Sequence, residues 1–164
     1  MENKKIALLF YSVSGQTRFA AQKMRDMLNC DIFEIQTEKL IKADVFSRYY
    51  HGIKQMKSRE LPKLKKMNFN PDMYDCIILG SPTWGSDCTP AIKAFAKNNK
   101  IENKKMCLFA TCAASGDKEC IESMKKLFPN NDFISTASFT NPKKSDKLKL
   151  KKKLKDFTGK ILGD

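Results

Sequence analysis

Three short segments carry the residue types from which a binding site could be built. The first, Ser12-Val13-Ser14-Gly15-Gln16-Thr17, gathers three hydroxyls around a glycine between an apolar run, Ile6 to Tyr11, and a helical pattern. Hydroxyls and successive backbone N–H groups at a helix N-terminus make an anion site. A triphosphate site would add a Lys after the glycine turn, and a dinucleotide site would need Gly-x-Gly-x-x-Gly; the segment has neither. A single terminal phosphate is the better guest, the plainer alternative being a serine that only caps a helix. In the second segment, Gly80-Ser-Pro82-Thr83-Trp84-Gly85-Ser-Asp87, stands the only tryptophan of the chain. Trp84 either packs down its loop against the next helix or offers its face to a large flat ring. The third, Thr111-Cys112-Ala113-Ala114-Ser115-Gly116, is made of small residues that let a ligand approach the backbone closely.

Other chemistry finds little support. The six cysteines, at 30, 76, 88, 107, 112 and 120, lie in apolar runs and helical stretches without a Cys-x-x-Cys pair, and read as reduced, mostly buried thiols. His51 is the single histidine and has no companion at ligand spacing, so no zinc or iron–sulfur site is expected. Cys112-x5-Lys118 is similar to a phosphatase loop, but Lys cannot clamp phosphate bidentately as Arg does. A receiver domain would need acids where Ser12 and Ser81 stand.

The elements that must position these segments are legible as alternating patterns. Ile6 to Tyr11, Cys76 to Leu79 and Met106 to Ala110 are unbroken apolar runs, as in strands buried on both faces of a parallel sheet. Ile32 to Ile35 and Phe133 to Phe139 mix in polar residues, as edge strands do. Between them, Ala20, Met24 and Met27; Ile92, Phe95 and Ala96; Ile121, Met124 and Phe128; and Leu150, Leu154, Phe157 and Ile161 mark helices with one buried stripe. Thr89 with Pro90, and Ser115 with Asp117 and Glu119, read as helix starts. From about 38 to 74 one helix is expected, on Phe46, Tyr49, Ile53 and Met56, then a long loop. The alternation calls for an α/β fold, a doubly wound five-stranded parallel sheet of order 2-1-3-4-5, as one domain over residues 1–164. In such a sheet ligands bind beyond the carboxyl ends of the strands, where the three segments fall.

Ser12-x-Ser14-Gly15-x-Thr17 resembles in full the phosphate loop of flavodoxins, Thr/Ser-x-Thr/Ser-Gly-x-Thr/Ser, and the resemblance runs from Lys5 to about Leu162. It implies a flavodoxin-like FMN-binding protein. Residues 12 to 17 would hold the phosphate, and Pro82, Thr83, Trp84 and Gly85 would form one wall of the flavin site. Thr111 to Gly116 would form the other wall and meet the pyrimidine edge through backbone groups. In the family the peptide after the Trp-Gly pair turns to bond flavin N5, which suits a one-electron carrier. The third loop departs from many members by lacking an aromatic, often Tyr. Either the ring is stacked on one face alone, or Tyr49 or Tyr50 reaches in from the long connection.

No apolar run approaches the about 18 residues that cross a bilayer, and no signal-peptide pattern opens the chain, so a cytoplasmic location without membrane insertion is expected. The net charge of +13 is unlike the acidic flavodoxins and points to redox partners with acidic patches. The lysines between 143 and 155 could instead serve nucleic acid or an anionic surface, but their spacing around Leu150, Leu154 and Phe157 reads first as a solvated helix face. An FMN-dependent NAD(P)H:quinone oxidoreductase remains the alternative to a carrier without catalytic residues, and a monomer or weak dimer is expected.

Overall fold

In the first strand, β1 (Ile6–Tyr11), every residue is buried. Ala7, Leu9 and Tyr11 enter one core, and Ile6, Leu8 and Phe10 enter another. That two-sided burial follows from the period of two along a strand and requires helices on both faces of the sheet. The computed structural model describes residues 4–39, 54 and 60–163. Around β1 lie β2 (Asp31–Ile35), β3 (Cys76–Trp84), β4 (Asp87–Cys88), β5 (Lys105–Cys112) and β6 (Asp132–Thr140). The path is β2-β1-β3-β5-β6, all parallel, with β4 antiparallel on the end of β3. This is the expected 2-1-3-4-5 order with one short strand added.

Four helices are described: α1 (Gln16–Leu28), α2 (Pro90–Asn98), α3 (Asp117–Leu127) and α4 (Lys147–Leu162). Ile92 and Phe95 of α2 and Cys120, Ile121 and Met124 of α3 fill the core containing Leu9. Ala20, Ala21 and Met24 of α1 with Leu154, Phe157 and Ile161 of α4 fill the core containing Leu8. The α1 stripe runs Thr17, Ala20, Ala21, Met24, Leu28, so Met27, expected inside, is 38% exposed. Helical periodicity allows Met24 to be followed inward by residue 27 or 28, and Leu28 is the one that enters the core, which Cys30 and Ile32 also border.

Two helix starts differ in detail from expectation. At α3 the capping position belongs to Gly116, at φ 86°, and not to Ser115, although Asp117 and Glu119 do occupy the first turn. At α2 Thr89 caps by backbone conformation with Pro90 behind it, but its hydroxyl is buried without a hydrogen-bond partner. Of the long connection, Thr37 bridges Leu64, and a 3-10 turn at Pro71–Met73 is capped by Asn70. The helix expected on Phe46, Tyr49, Ile53 and Met56 lies outside the described residues, as does His51. All six cysteines are free thiols. Burial pushes the thiols of Cys88 up to about 11 and Cys120 up to about 12, so both are protonated at neutral pH and poor nucleophiles. Among the described residues no helix is long and apolar enough to cross a membrane.

Candidate functional site

At the carboxyl end of β1 the chain leaves the sheet at Ser12 and turns into α1 through Gly15, whose φ of 81° is left-handed. The Ser12 hydroxyl accepts from the Gly15 N–H at 3.1 Å and the Arg18 N–H at 3.3 Å, closing the turn. By position the N–H groups of Gln16 and Thr17 have no intrahelical acceptor. Ser14 is exposed, and Val13 and Gln16 are half-buried. Thr17 turns the other way: its hydroxyl is buried and 2.7 Å from the hydroxyl of Thr111, tying the first loop to the third. Of the three hydroxyls expected to cradle a phosphate, Ser14 is therefore open, Ser12 holds the turn, and Thr17 joins two loops. Arg18 pairs bidentately with Glu34 at the end of β2.

The second segment is not a loop from Gly80 onward. β3 continues to Trp84 and returns through Gly85 and Ser86 to β4, so that Trp84 pairs with Asp87. Gly85 and Ser86 have φ of 54° and 63°, the two positive values that a type I′ hairpin requires. Gly80 and Pro82 look like turn residues, yet Gly80 lies in the sheet between Phe10 and Phe109, at a position where a Cβ would lie 2.1 Å from the Phe109 ring. Ser81 and Pro82 pair with Ala110 and Thr111. Thr83 buries its hydroxyl beside the Cys120 thiol. Trp84 is half-buried, its ring edge-on to Tyr11 at 6.5 Å and 75°.

The hairpin is anchored through Asp87. Its carboxylate accepts from the Cys88 N–H at 2.7 Å, from the Ser123 hydroxyl on α3 and from the Lys93 ammonium on α2. Burial alone pushes this carboxyl up, but Lys93, Ser123 and Cys88 together hold it below its ordinary value.

The third segment leaves β5 with Thr111 and Cys112 still buried and Ala113, Ala114 and Ser115 exposed. Gly116 then passes against the hairpin: a Cβ there would lie 2.9 Å from Ser86 Oγ and 3.0 Å from Ser86 Cα. The Cys112 thiol faces Asp117 and Thr140. A fourth segment, Asn141 to Ser145 after β6, joins the same edge and was missed in the sequence. The Asn141 side-chain amide donates to the Ala113 carbonyl at 2.8 Å, and the Lys143 N–H donates to the Gln16 side chain at 3.0 Å. The signal was positional: all loops after parallel strands open on one edge, and Asn-Pro at 141 and 142 marks a turn there.

These loops suit a phosphorylated flat ligand. Open N–H groups lie at the start of α1, an indole stands edge-on to Tyr11 just before that turn, and the third loop, with Ala113 to Ser115 exposed, packs on the hairpin through Gly116. The residues that could hold FMN are thus assembled on one edge, although Thr17, Thr83 and Cys112 are turned inward. Tyr49 and Tyr50, considered as a second aromatic wall, lie outside the described residues. No group of three or more potential metal ligands occurs among the described residues.

Solved structures with the same fold include a flavoprotein in complex with FMN from Lactobacillus acidophilus NCFM. It has 24% identity and a TM-score of 0.72, over 82% of this chain and 93% of that one. The apo form of the flavoprotein from the same organism gives 23% identity and 0.67, over 83% and 92%. A flavodoxin, WrbA-like protein from Agrobacterium tumefaciens gives 16% and 0.65, over 96% and 94%. No curated protein sequence matches this chain. The sequence model of the family described as Flavodoxin matches residues 5–156, from before β1 into α4, and the chain belongs to the flavodoxin family.

Proposed function

We propose that this protein binds one FMN at the carboxyl edge of its sheet and uses it to carry electrons between redox partners. The observation that carries the reading is the convergence of the Ser12 to Thr17 turn, the Trp84 hairpin and the Thr111 to Gly116 loop on one edge, with Thr17 bonded to Thr111 and Gly116 packed on Ser86. The flavodoxin family and the FMN complex of the Lactobacillus acidophilus flavoprotein support the choice of cofactor.

In this reading the start of α1 and Ser14 receive the phosphate, Trp84 covers the ring, and Ala113 to Ser115 admit its polar edge to the backbone. FMN, when bound, supplies one- and two-electron redox chemistry. The chain positions it and shields one face. Gly85 supplies the positive φ by which a peptide group beside the ring could reverse its hydrogen-bonding sense. Partners with acidic patches fit the net charge of +13. Titrating FMN into the protein tests the cofactor: the expected result is quenching of Trp84 fluorescence with stronger binding than riboflavin. Absence of quenching well into the micromolar range overturns it. Mixing the FMN-loaded protein with NADH or NADPH and a quinone tests the carrier role, since rapid pyridine nucleotide oxidation would make it an oxidoreductase.

A further inference from the structure

One cation approaches the first loop from far along the chain. A Cβ built on Gly15 would lie 2.7 Å from Lys143 Nζ, 3.6 Å from Lys143 Cε and 3.7 Å from Arg18 Nη1. The Lys143 side chain therefore lies directly over the glycine turn. Its backbone is held there too, because the Lys143 N–H donates to Gln16 Oε1 at 3.0 Å across 127 residues of sequence.

The segment bearing Lys143 is itself fixed. Asn141 takes a left-handed φ of 42°, donates its N–H to the Cys112 carbonyl at 2.9 Å and its side-chain amide to the Ala113 carbonyl. The Lys144 N–H closes back on the Asn141 carbonyl at 2.8 Å, and the Ser145 hydroxyl donates to the Thr140 carbonyl at 2.8 Å. Arg18 is committed to Glu34, whereas Lys143 has no carboxylate partner among the described residues.

The placement is electrostatically unfavourable by itself. A helix N-terminus carries about half a positive charge, and an ammonium over it is repelled. An anion between the two reverses the sign of both interactions. We propose that Lys143 is a direct ligand of the FMN phosphate and makes the site selective for phosphorylated over unphosphorylated flavin; this rests on the FMN reading above. The phosphate dianion would accept N–H bonds from the start of α1 on one side and a charge-assisted bond from Lys143 Nζ on the other. Lysine acts here as a point charge on a flexible stem, which suits a phosphate approached from a neighbouring loop.

The test is a titration of FMN and of riboflavin into the full chain and into K143Q and K143R, each at low and at high salt. K143Q should weaken FMN roughly 5- to 20-fold, the scale of one partly exposed charge-assisted bond. Riboflavin affinity should stay unchanged, K143R should restore FMN, and the salt dependence of FMN binding should shrink in K143Q. Unchanged FMN affinity in K143Q overturns the proposal, and so does an equal loss for both flavins, which would mean a structural role. Wild-type protein that binds no FMN overturns the cofactor reading and this one with it; wild type that binds FMN while K143Q binds it equally well overturns this one alone.

Discussion

Trp84 is held from beside rather than from beneath: Tyr11 meets it edge-on, and it remains half-buried at the tip of β3. Trp84 packs against the margin of the core that contains Leu9 and Tyr11 and leaves the rest of its ring open on the ligand edge. Trp84→Ala should therefore weaken FMN by about 1 to 3 kcal/mol, the scale of one ring stacked on a planar partner. The folding midpoint should move little by comparison. Isothermal titration beside thermal unfolding separates the two, and an unchanged dissociation constant would mean that the indole faces elsewhere. The composition of the candidate site is readable in the sequence at this scale as hydroxyls, a glycine and a lone Trp beside strand ends. The direction of each side chain is not. Thr17 fits the phosphate pattern in sequence, yet its hydroxyl goes to Thr111, a contact 94 residues away that no local motif encodes.

Among the elements, the β3–β4 hairpin is tied to two helices through one side chain, Asp87. Asp87 joins it to α2 through Lys93 and to α3 through Ser123, and these contacts hold its carboxyl below the ordinary value of 3.8. A carboxyl with a depressed folded-state pKa stabilises the fold above its unfolded value and loses that contribution as pH falls through the folded one. Wild-type stability should accordingly drop below about pH 4 by a component that Asp87→Asn lacks, while at pH 7 the variant should be less stable by about 1 kcal/mol after solvent screening. Urea unfolding of both proteins at the two pH values measures this, and parallel pH profiles would show that Asp87 contributes nothing specific. The parallel strands and the helix stripes were legible because burial on two faces leaves unbroken apolar runs and burial on one leaves a period near 3.6. The hairpin was not, since Gly80 and Pro82 carry turn chemistry. Only the fold shows that Gly80 makes room for Phe109 in the sheet interior.

At the scale of the whole molecule the net charge of +13 includes a cluster of lysines at the start of one helix. Helices of this sheet begin at its carboxyl edge, and α4 begins with Lys147 and Lys149, preceded by Lys143 and Lys144, around one acid, the N-cap Asp146, whose carboxylate accepts from the Leu148 and Lys149 N–H groups. All seven lysines of α4, at 147, 149, 151, 152, 153, 155 and 160, are exposed, while Leu154, Phe157 and Ile161 fill the core. The helix is thus an ordinary amphipathic one whose outer face is predominantly cationic, with Asp156 exposed among the lysines, and its positive end lies on the edge where the candidate site is. Adding electrons to FMN adds negative charge beside a phosphate that is already anionic, so lysines on that edge favour reduction and acids would oppose it. Each exposed charge acts weakly, because the Debye length is about 8 Å at physiological ionic strength, but an excess of one sign still sums over acids such as Asp117, Glu119 and Asp146 on the same edge. The midpoint potential of bound FMN should therefore fall as salt is raised, and association with an acid-faced redox partner should slow over the same range. Neutralising Lys147 and Lys149 together with glutamine should lower the potential at low salt and flatten its salt dependence, whereas the same change at Lys155 and Lys160, farther along the helix, should do so less. A redox titration of the three proteins at two ionic strengths decides the matter: a potential that does not move with salt, or an equal response to both pairs, would show that hydrogen bonds at the flavin outweigh the field and that the lysines act on docking alone.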